Sequence, residues 1–147
     1  MIDKFEGDYA FLSNFFYSPI TIDGKRYLTV ENYFQSMKAA NPGDAEEIRL
    51  ASTPGQSKRL GRRCVIRKDW EDIKEDIMYK AVKTKFTQNP NLRTALEKTG
   101  DVWLEEGNTW CDNTWGVCHC IKCQDKMAYN KLGKILMKVR KELKEGN

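Results

Sequence analysis

The stretch Ile20-Thr21-Ile22-Asp23-Gly24-Lys25-Arg26-Tyr27-Leu28-Thr29-Val30-Glu31-Asn32-Tyr33-Phe34-Gln35-Ser36-Met37-Lys38 changes period halfway along, and that change sets the fold class. Its first part alternates around Asp23-Gly24, a pair suited to the two positive-φ positions of a type I′ turn, and so predicts a β-hairpin. Thr29 then serves as an N-cap, after which Val30, Tyr33, Phe34 and Met37 recur at helical spacing. Glu31, Gln35 and Lys38, four and three residues apart, group on another side of that helix. A hairpin running straight into a helix points to an α+β protein.

Working outward, Asp44-Ala45-Glu46-Glu47 after Pro42-Gly43 reads as a helix start. Thr53-Pro54-Gly55-Gln56 combines a capping box with proline at the first helical position, and Gly61 is expected to end that segment. Asp69 reads as the N-cap of a longer helix whose stripe is Ile73, Ile77, Ala81 and Phe86, stopped by Asn89-Pro90. Pro90 opens a short helix through Leu92 and Leu96, closed near Thr99-Gly100, and Val102-Trp103-Leu104 predicts a brief strand. Leu132, Ile135, Leu136, Val139 and Leu143 mark a final helix rich in Lys and Arg toward its end. Residues 105–130 show neither period, and a loop that long in a compact domain is usually functional. The expectation is one mainly α-helical domain over 1–147, with a small N-terminal β-hairpin and short strands.

Composition narrows the classes. Hydrophobic residues make up 40% and charged residues 31%, which is globular and unlike a disordered chain. The N-terminus lacks an apolar signal core, and no run approaches the roughly 18 apolar residues that cross a bilayer, so no membrane association and a cytoplasmic location are expected. Five cysteines, Cys64, Cys111, Cys118, Cys120 and Cys123, form an odd set that suits free thiols better than a secreted disulfide framework. A net charge of +4 permits a phosphate-bearing ligand but falls short of a dedicated nucleic-acid surface. His119 is the sole histidine, which excludes most His-based triads.

The chain resembles the NADAR proteins, a family that includes an N-glycosidase acting on riboflavin-biosynthesis intermediates and hydrolases that remove ADP-ribose from guanine. The resemblance is carried nearly end to end by Phe11-Leu12-Ser13-Asn14-Phe15, Asp23-Gly24, Thr29-Val30-Glu31-Asn32-Tyr33-Phe34-Gln35 with Lys38, Asp69-Trp70, Lys85-Phe86, Asp112 with Trp115-Gly116, and Asn130-Lys131-Leu132-Gly133 with Leu136-Met137 and Arg140. It implies a mainly helical α+β domain and a catalytic set on Glu31, Trp70 and Asp112. Two departures stand out. Asn32 replaces the histidine common after the glutamate, and Cys118-His119-Cys120-Ile121-Lys122-Cys123 replaces a glycine-rich stretch.

The chemistry suits these residue types. Breaking the bond between ribose C1′ and a nitrogen builds positive charge on the sugar, so a carboxylate beneath the ring and an oriented water are the natural catalysts. Glu31 takes the first role. Asp112 binds ribose hydroxyls or steers the water, and Trp70 stacks on a base or ring. Substrate contacts are expected from Ser13, Asn14, Phe15, Lys38, Arg67, Lys85, Trp115, Gly116 and Asn130, with Arg59, Arg62, Arg63 and Lys68 as further cations. Taken singly, Glu31 is an ordinary first-turn acid, Asp112 a turn former, Trp70 a core aromatic and Asn130 a helix cap. The resemblance moves Glu31, Asp112 and Trp70 to function. The expected ligand is a nucleotide-like small molecule or ADP-ribosylated nucleic acid, with ADP-ribose on guanine first and a ribosylated pyrimidine second. A non-catalytic ADP-ribose or nucleic-acid binding module is the alternative from another class. No cofactor is expected. Cys111, Cys118, Cys120 and Cys123 could hold zinc, but a one-residue gap departs from the usual paired spacing, so a reduced loop is the first reading.

Overall fold

Asp23 and Gly24 both take positive φ, 53° and 79°, and turn β1 (Ile20–Ile22) back onto β2 (Lys25–Tyr27) in an antiparallel pair. These come from a computed structural model that describes residues 1–146. The chain divides into two units, one spanning Asn14–Pro90 and the other formed by Met1–Ser13 with the chain from Asn91 onward.

In the first unit the hairpin leads into α1 (Val30–Lys38), where the Thr29 hydroxyl accepts the Asn32 N–H at 3.1 Å as an N-cap should. Helices α2 (Pro42–Arg49), α3 (Pro54–Arg63) and α4 (Trp70–Gln88) all pack on α1. The core holds Ile20, Ile22, Val30, Tyr33, Ile48, Met78, Ala81, Val82 and Phe86. Tyr27 meets Tyr33 edge-on, with centroids 4.9 Å apart, which seats the hairpin on α1.

Several expected boundaries move. The α2 helix starts at Pro42 with Asn41 as its cap, because the Asn41 side chain accepts the Asp44 N–H at 2.8 Å. Gly61 does not end α3; it lies inside the helix and against Gln35. Asp69 precedes α4 but caps nothing, since its carboxylate is paired with Arg67. The buried residues of α4 are Trp70, Met78, Ala81, Val82, Lys85 and Phe86, while Ile73 and Ile77 stay partly exposed.

In the second unit a 3-10 turn over Gly7–Leu12 precedes α5 (Pro90–Lys98) and α6 (Lys131–Lys144), and Ile2, Phe5, Leu12, Leu96, Leu104, Leu132, Leu136, Val139 and Leu143 are buried. The strand expected at Val102-Trp103-Leu104 is only an isolated bridge between Leu104 and Ile2. Within 105–130 two short parallel strands appear, β3 (Gly107–Asn108) and β4 (Val117–Cys118). The architecture is α+β and mainly helical, as expected. Among the described residues no helix is long and apolar enough to cross a membrane.

Candidate active site

The candidate catalytic groups fall in both units. In the Asn14–Pro90 unit, Glu31 lies in the first turn of α1 and is only 7% exposed. Gln35, one turn on and also buried, donates from Nε2 to Glu31 Oε2 at 2.8 Å. Helix spacing explains the pair, because residues four apart are neighbours on one face. The Gln35 Oε1 atom is buried with no hydrogen-bond partner among the described residues. It rests over Gly61, where a Cβ would collide with it, so the glycine lets α3 approach α1 closely enough to hold the amide. The Glu31 N–H donates to the Asn14 carbonyl at 3.1 Å, which joins two motifs far apart in the chain.

Phe34, three residues from Glu31, packs on Trp70 with ring centroids 4.9 Å apart and a 55° tilt. Trp70 is buried at the start of α4, so an aromatic pair stands beside the carboxylate's helix face. Lys38, Arg67 and Trp70 are strung together by backbone bonds, Arg67 N–H to the Lys38 carbonyl at 3.0 Å and Trp70 N–H to the Arg67 carbonyl at 3.2 Å. The Arg67 guanidinium is engaged, with Nε and Nη2 on Asp69 at 2.6 and 3.0 Å and Nη1 on the Met37 carbonyl. A phosphate would have to compete with Asp69 for it. Lys85 is fully buried; its Nζ lies 5.7 Å from the Phe16 ring centre and 5.2 Å from that of Phe86. Burial pushes its ammonium down to about 7. Phe15 is exposed, and Lys58 Nζ lies 5.8 Å from its ring centre.

Asn32, the departure beside Glu31, is a structural residue. It is fully buried, accepts the Thr29 hydroxyl at 2.6 Å and donates to the Ala51 carbonyl at 3.1 Å.

In the other unit, Asp112 sits in a loop organised by asparagine side chains. Buried Asn108 accepts the N–H groups of Trp110 and Asp112 and donates to the Asp112 carbonyl at 2.8 Å. Asp112 Oδ1 accepts the N–H of Thr114 at 3.1 Å and of Trp115 at 2.9 Å, an Asx turn that leaves Oδ2 without a partner among the described residues. Asn113 accepts the Cys118 N–H at 2.9 Å. Gly116 is required by the protein itself, because a Cβ there would meet Glu106 and Asn108. Asn130 takes the left-handed conformation, φ 47°, and does not cap α6. Its side chain accepts the Glu106 N–H at 3.2 Å and donates to the Leu104 carbonyl at 2.9 Å, so both groups serve the scaffold. Ser13 closes the 3-10 turn through its N–H to Ala10.

Sequence reasoning missed Phe16, Lys58 and Asn108, and the contact of Gly61 with Gln35. For Gly61 a signal existed, since it is a small residue on a helix otherwise lined with cations. Asn108 carried none, because Gly107-Asn108 reads like any turn.

The NADAR domain model matches residues 2–144. The chain belongs to the NADAR domain family. It is 40% identical to N-glycosidase YbiA of Escherichia coli over 138 residues, covering 92% of this chain and 82% of that protein. It is 39% identical to N-glycosidase Npun_R5314 of Nostoc punctiforme over 141 residues, 92% and 86% of the two chains. The NMR structure of the E. coli YbiA protein superimposes with a TM-score of 0.83 at 36% identity, covering 99% of this chain and 88% of that one. A riboflavin biosynthesis protein of Vibrio vulnificus is 36% identical over 140 residues, 94% of this chain but only 36% of that longer protein. This NADAR chain is a hydrolase of the N-glycosidase type.

Proposed function

We propose that the protein hydrolyses the N-glycosidic bond of an ADP-ribosyl adduct, with ADP-ribose on guanine, free or in nucleic acid, as the preferred substrate. The reaction breaks the C1′–N bond, adds water oxygen to C1′ and returns a proton to the base nitrogen. It moves no electrons and needs no redox cofactor. Glu31 is the carboxylate that stabilises positive charge on the ribose, with Gln35 fixing its Oε2. Asp112, placed in the catalytic set by the family resemblance, uses Oδ2 on a ribose hydroxyl or the attacking water. Trp70, buried against Phe34, closes the site to water.

The observation that carries the substrate choice is exposed Phe15 with the Lys58 ammonium over it. An exposed aromatic face with a cation over it suits a second base, which ADP-ribose has and a phosphoribosylated pyrimidine lacks. The second reading, a ribosylated pyrimidine of riboflavin biosynthesis, is favoured by the likeness to the riboflavin biosynthesis protein of Vibrio vulnificus. A cytoplasmic setting fits either reading, since both substrates are intracellular nucleotides.

The two are separated by incubating the protein with ADP-ribosylated guanosine, the same adduct in DNA, and a phosphoribosylated pyrimidine, and following product by mass. ADP-ribose should be released at least tenfold faster than pyrimidine base. Faster release from the pyrimidine would replace the first reading by the second, and no release from any of the three would remove both.

A further inference from the structure

The four cysteines of the 105–130 segment converge in space. The sulfurs of Cys111, Cys118, Cys120 and Cys123 all lie within 4.8 Å of one another. Cys111 and Cys120 are 3.6 Å apart at sulfur, and all four are free thiols. A disulfide needs sulfurs at about 2.05 Å. A tetrahedral zinc with Zn–S bonds of about 2.3 Å instead needs S···S edges of about 3.8 Å, which this set reaches with shifts of about 1 Å or less.

The backbone accounts for the convergence. Cys120 precedes and Cys123 ends the 3-10 turn at Ile121–Cys123, where the Cys123 N–H returns to the Cys120 carbonyl at 3.1 Å and brings the two side chains to one side. Cys118 ends β4, and Cys111 is turned toward it by a left-handed backbone, φ 65°. The N–H groups of Cys111 and Cys120 donate to Cys118 Sγ at 3.2 and 3.4 Å, bonds of the kind that orient a thiolate ligand. The one-residue gap between Cys118 and Cys120 argued against a paired zinc motif. It loses that force once Cys111 supplies the fourth sulfur. His119 is exposed and lies outside the group.

We propose that Cys111, Cys118, Cys120 and Cys123 bind one zinc ion as a tetrathiolate. Four thiols give up four protons and no electrons change hands. With four protein ligands the tetrahedron is complete, so the ion is structural and not a Lewis acid for the reaction. Its effect on function is indirect. Cys111 adjoins Asp112, and the ion clamps the loop that presents that carboxylate.

The test is metal analysis of the reduced full-length protein, purified from zinc-supplemented cells and gel-filtered in the presence of EDTA. About one zinc per chain should remain. Protein loaded with Co²⁺ should show intense thiolate-to-cobalt charge transfer and the visible bands of a tetrahedral site. Cys111→Ser and Cys120→Ser should each weaken metal retention at least tenfold, whereas Cys64→Ser, outside the cluster, should retain it fully. Because the cobalt spectrum is read on wild-type protein, failure of a variant to fold leaves the proposal exposed to refutation. Metal-free protein with no cobalt charge transfer and four freely alkylated thiols would overturn it, as would a Cys111–Cys120 disulfide found by mass. None of these readouts depends on the substrate assignment.

Discussion

The two carboxylates assigned to catalysis are held by opposite means. Glu31 stands on a capped helix with three other helices packed against it, and its orientation follows from helical period, one amide and a glycine contact. Asp112 stands in a segment with two-residue strands, where Asn108, Asn113 and Asn130 replace the missing backbone ladder by bonding to N–H and C=O groups. Regular structure positions a group with local information, because every backbone bond is shared with its neighbours. An irregular segment needs a dedicated side chain for each bond, and it is also where cross-links accumulate. Substitutions in the helix unit should therefore separate chemistry from folding more cleanly than those in the loop.

The largest effect is expected at Glu31→Gln, which keeps the size of the side chain and removes its charge. Turnover should fall by about 10³-fold, within the range for loss of a positioned acid or base, while circular dichroism and melting temperature stay put. At Asp112 the two roles can be split. Asp112→Asn retains an oxygen for the Thr114 and Trp115 N–H groups and should preserve hydrogen-exchange protection of the loop while lowering turnover by about 10²-fold. Asp112→Ala loses the acceptor as well, and amide exchange should then accelerate across 108–118. Unchanged exchange in the alanine variant would show that the asparagines suffice to hold the loop.

Gly61→Ala should have a smaller effect. The added methyl meets Gln35 Oε1, so the amide must move off Glu31, and kcat is expected to fall about tenfold with KM nearly constant. A wild-type kcat would mean that Gln35 does not position the carboxylate.

A last effect, on stability and not on turnover, concerns Lys85. In the folded protein its ammonium loses its proton near 7, whereas in the unfolded chain it keeps it to about 10.5. Between these values the unfolded state binds more protons, so stability rises with pH, and the cost of burial is greatest below about 7. Lys85→Met should thus be more stable than wild type at about pH 6, with the difference closing toward about pH 10, as read from urea midpoints. A gap that stayed constant with pH would show that Lys85 titrates normally.

Much of this was legible in the sequence, and the legible parts share a cause. The hairpin, the Thr29 cap, the stop at Pro90 and the α6 stripe are set by nearest neighbours along the chain, and they formed where the residues indicated. The misreadings came from competing partners, near or far. Asp69 looked like a cap, but Arg67 two residues before it engages its carboxylate, and Val102-Trp103-Leu104 found only distant Ile2 to bridge with. Taken singly Glu31 reads as an ordinary first-turn acid on a side away from the Val30 and Tyr33 stripe, yet α1 is covered on more sides than one stripe predicts. Asn130 reads as a helix cap by position, while its side chain reaches back to Leu104 and Glu106. The four cysteines were legible as a possible zinc set, but their convergence was not, since it depends on one 3-10 turn and one left-handed residue that the spacing does not announce.

The claim that Glu31 acts chemically, and not as part of the scaffold, is tested most directly by rescue. Glu31→Ala should release base from the preferred ribosylated substrate about 10³-fold more slowly than wild type, and added azide or formate should restore part of that rate by occupying the space of the lost carboxylate. A Glu31→Ala protein that turns over within about tenfold of wild type, or whose loss matches a collapse of melting temperature and ignores added anion, would contradict the account.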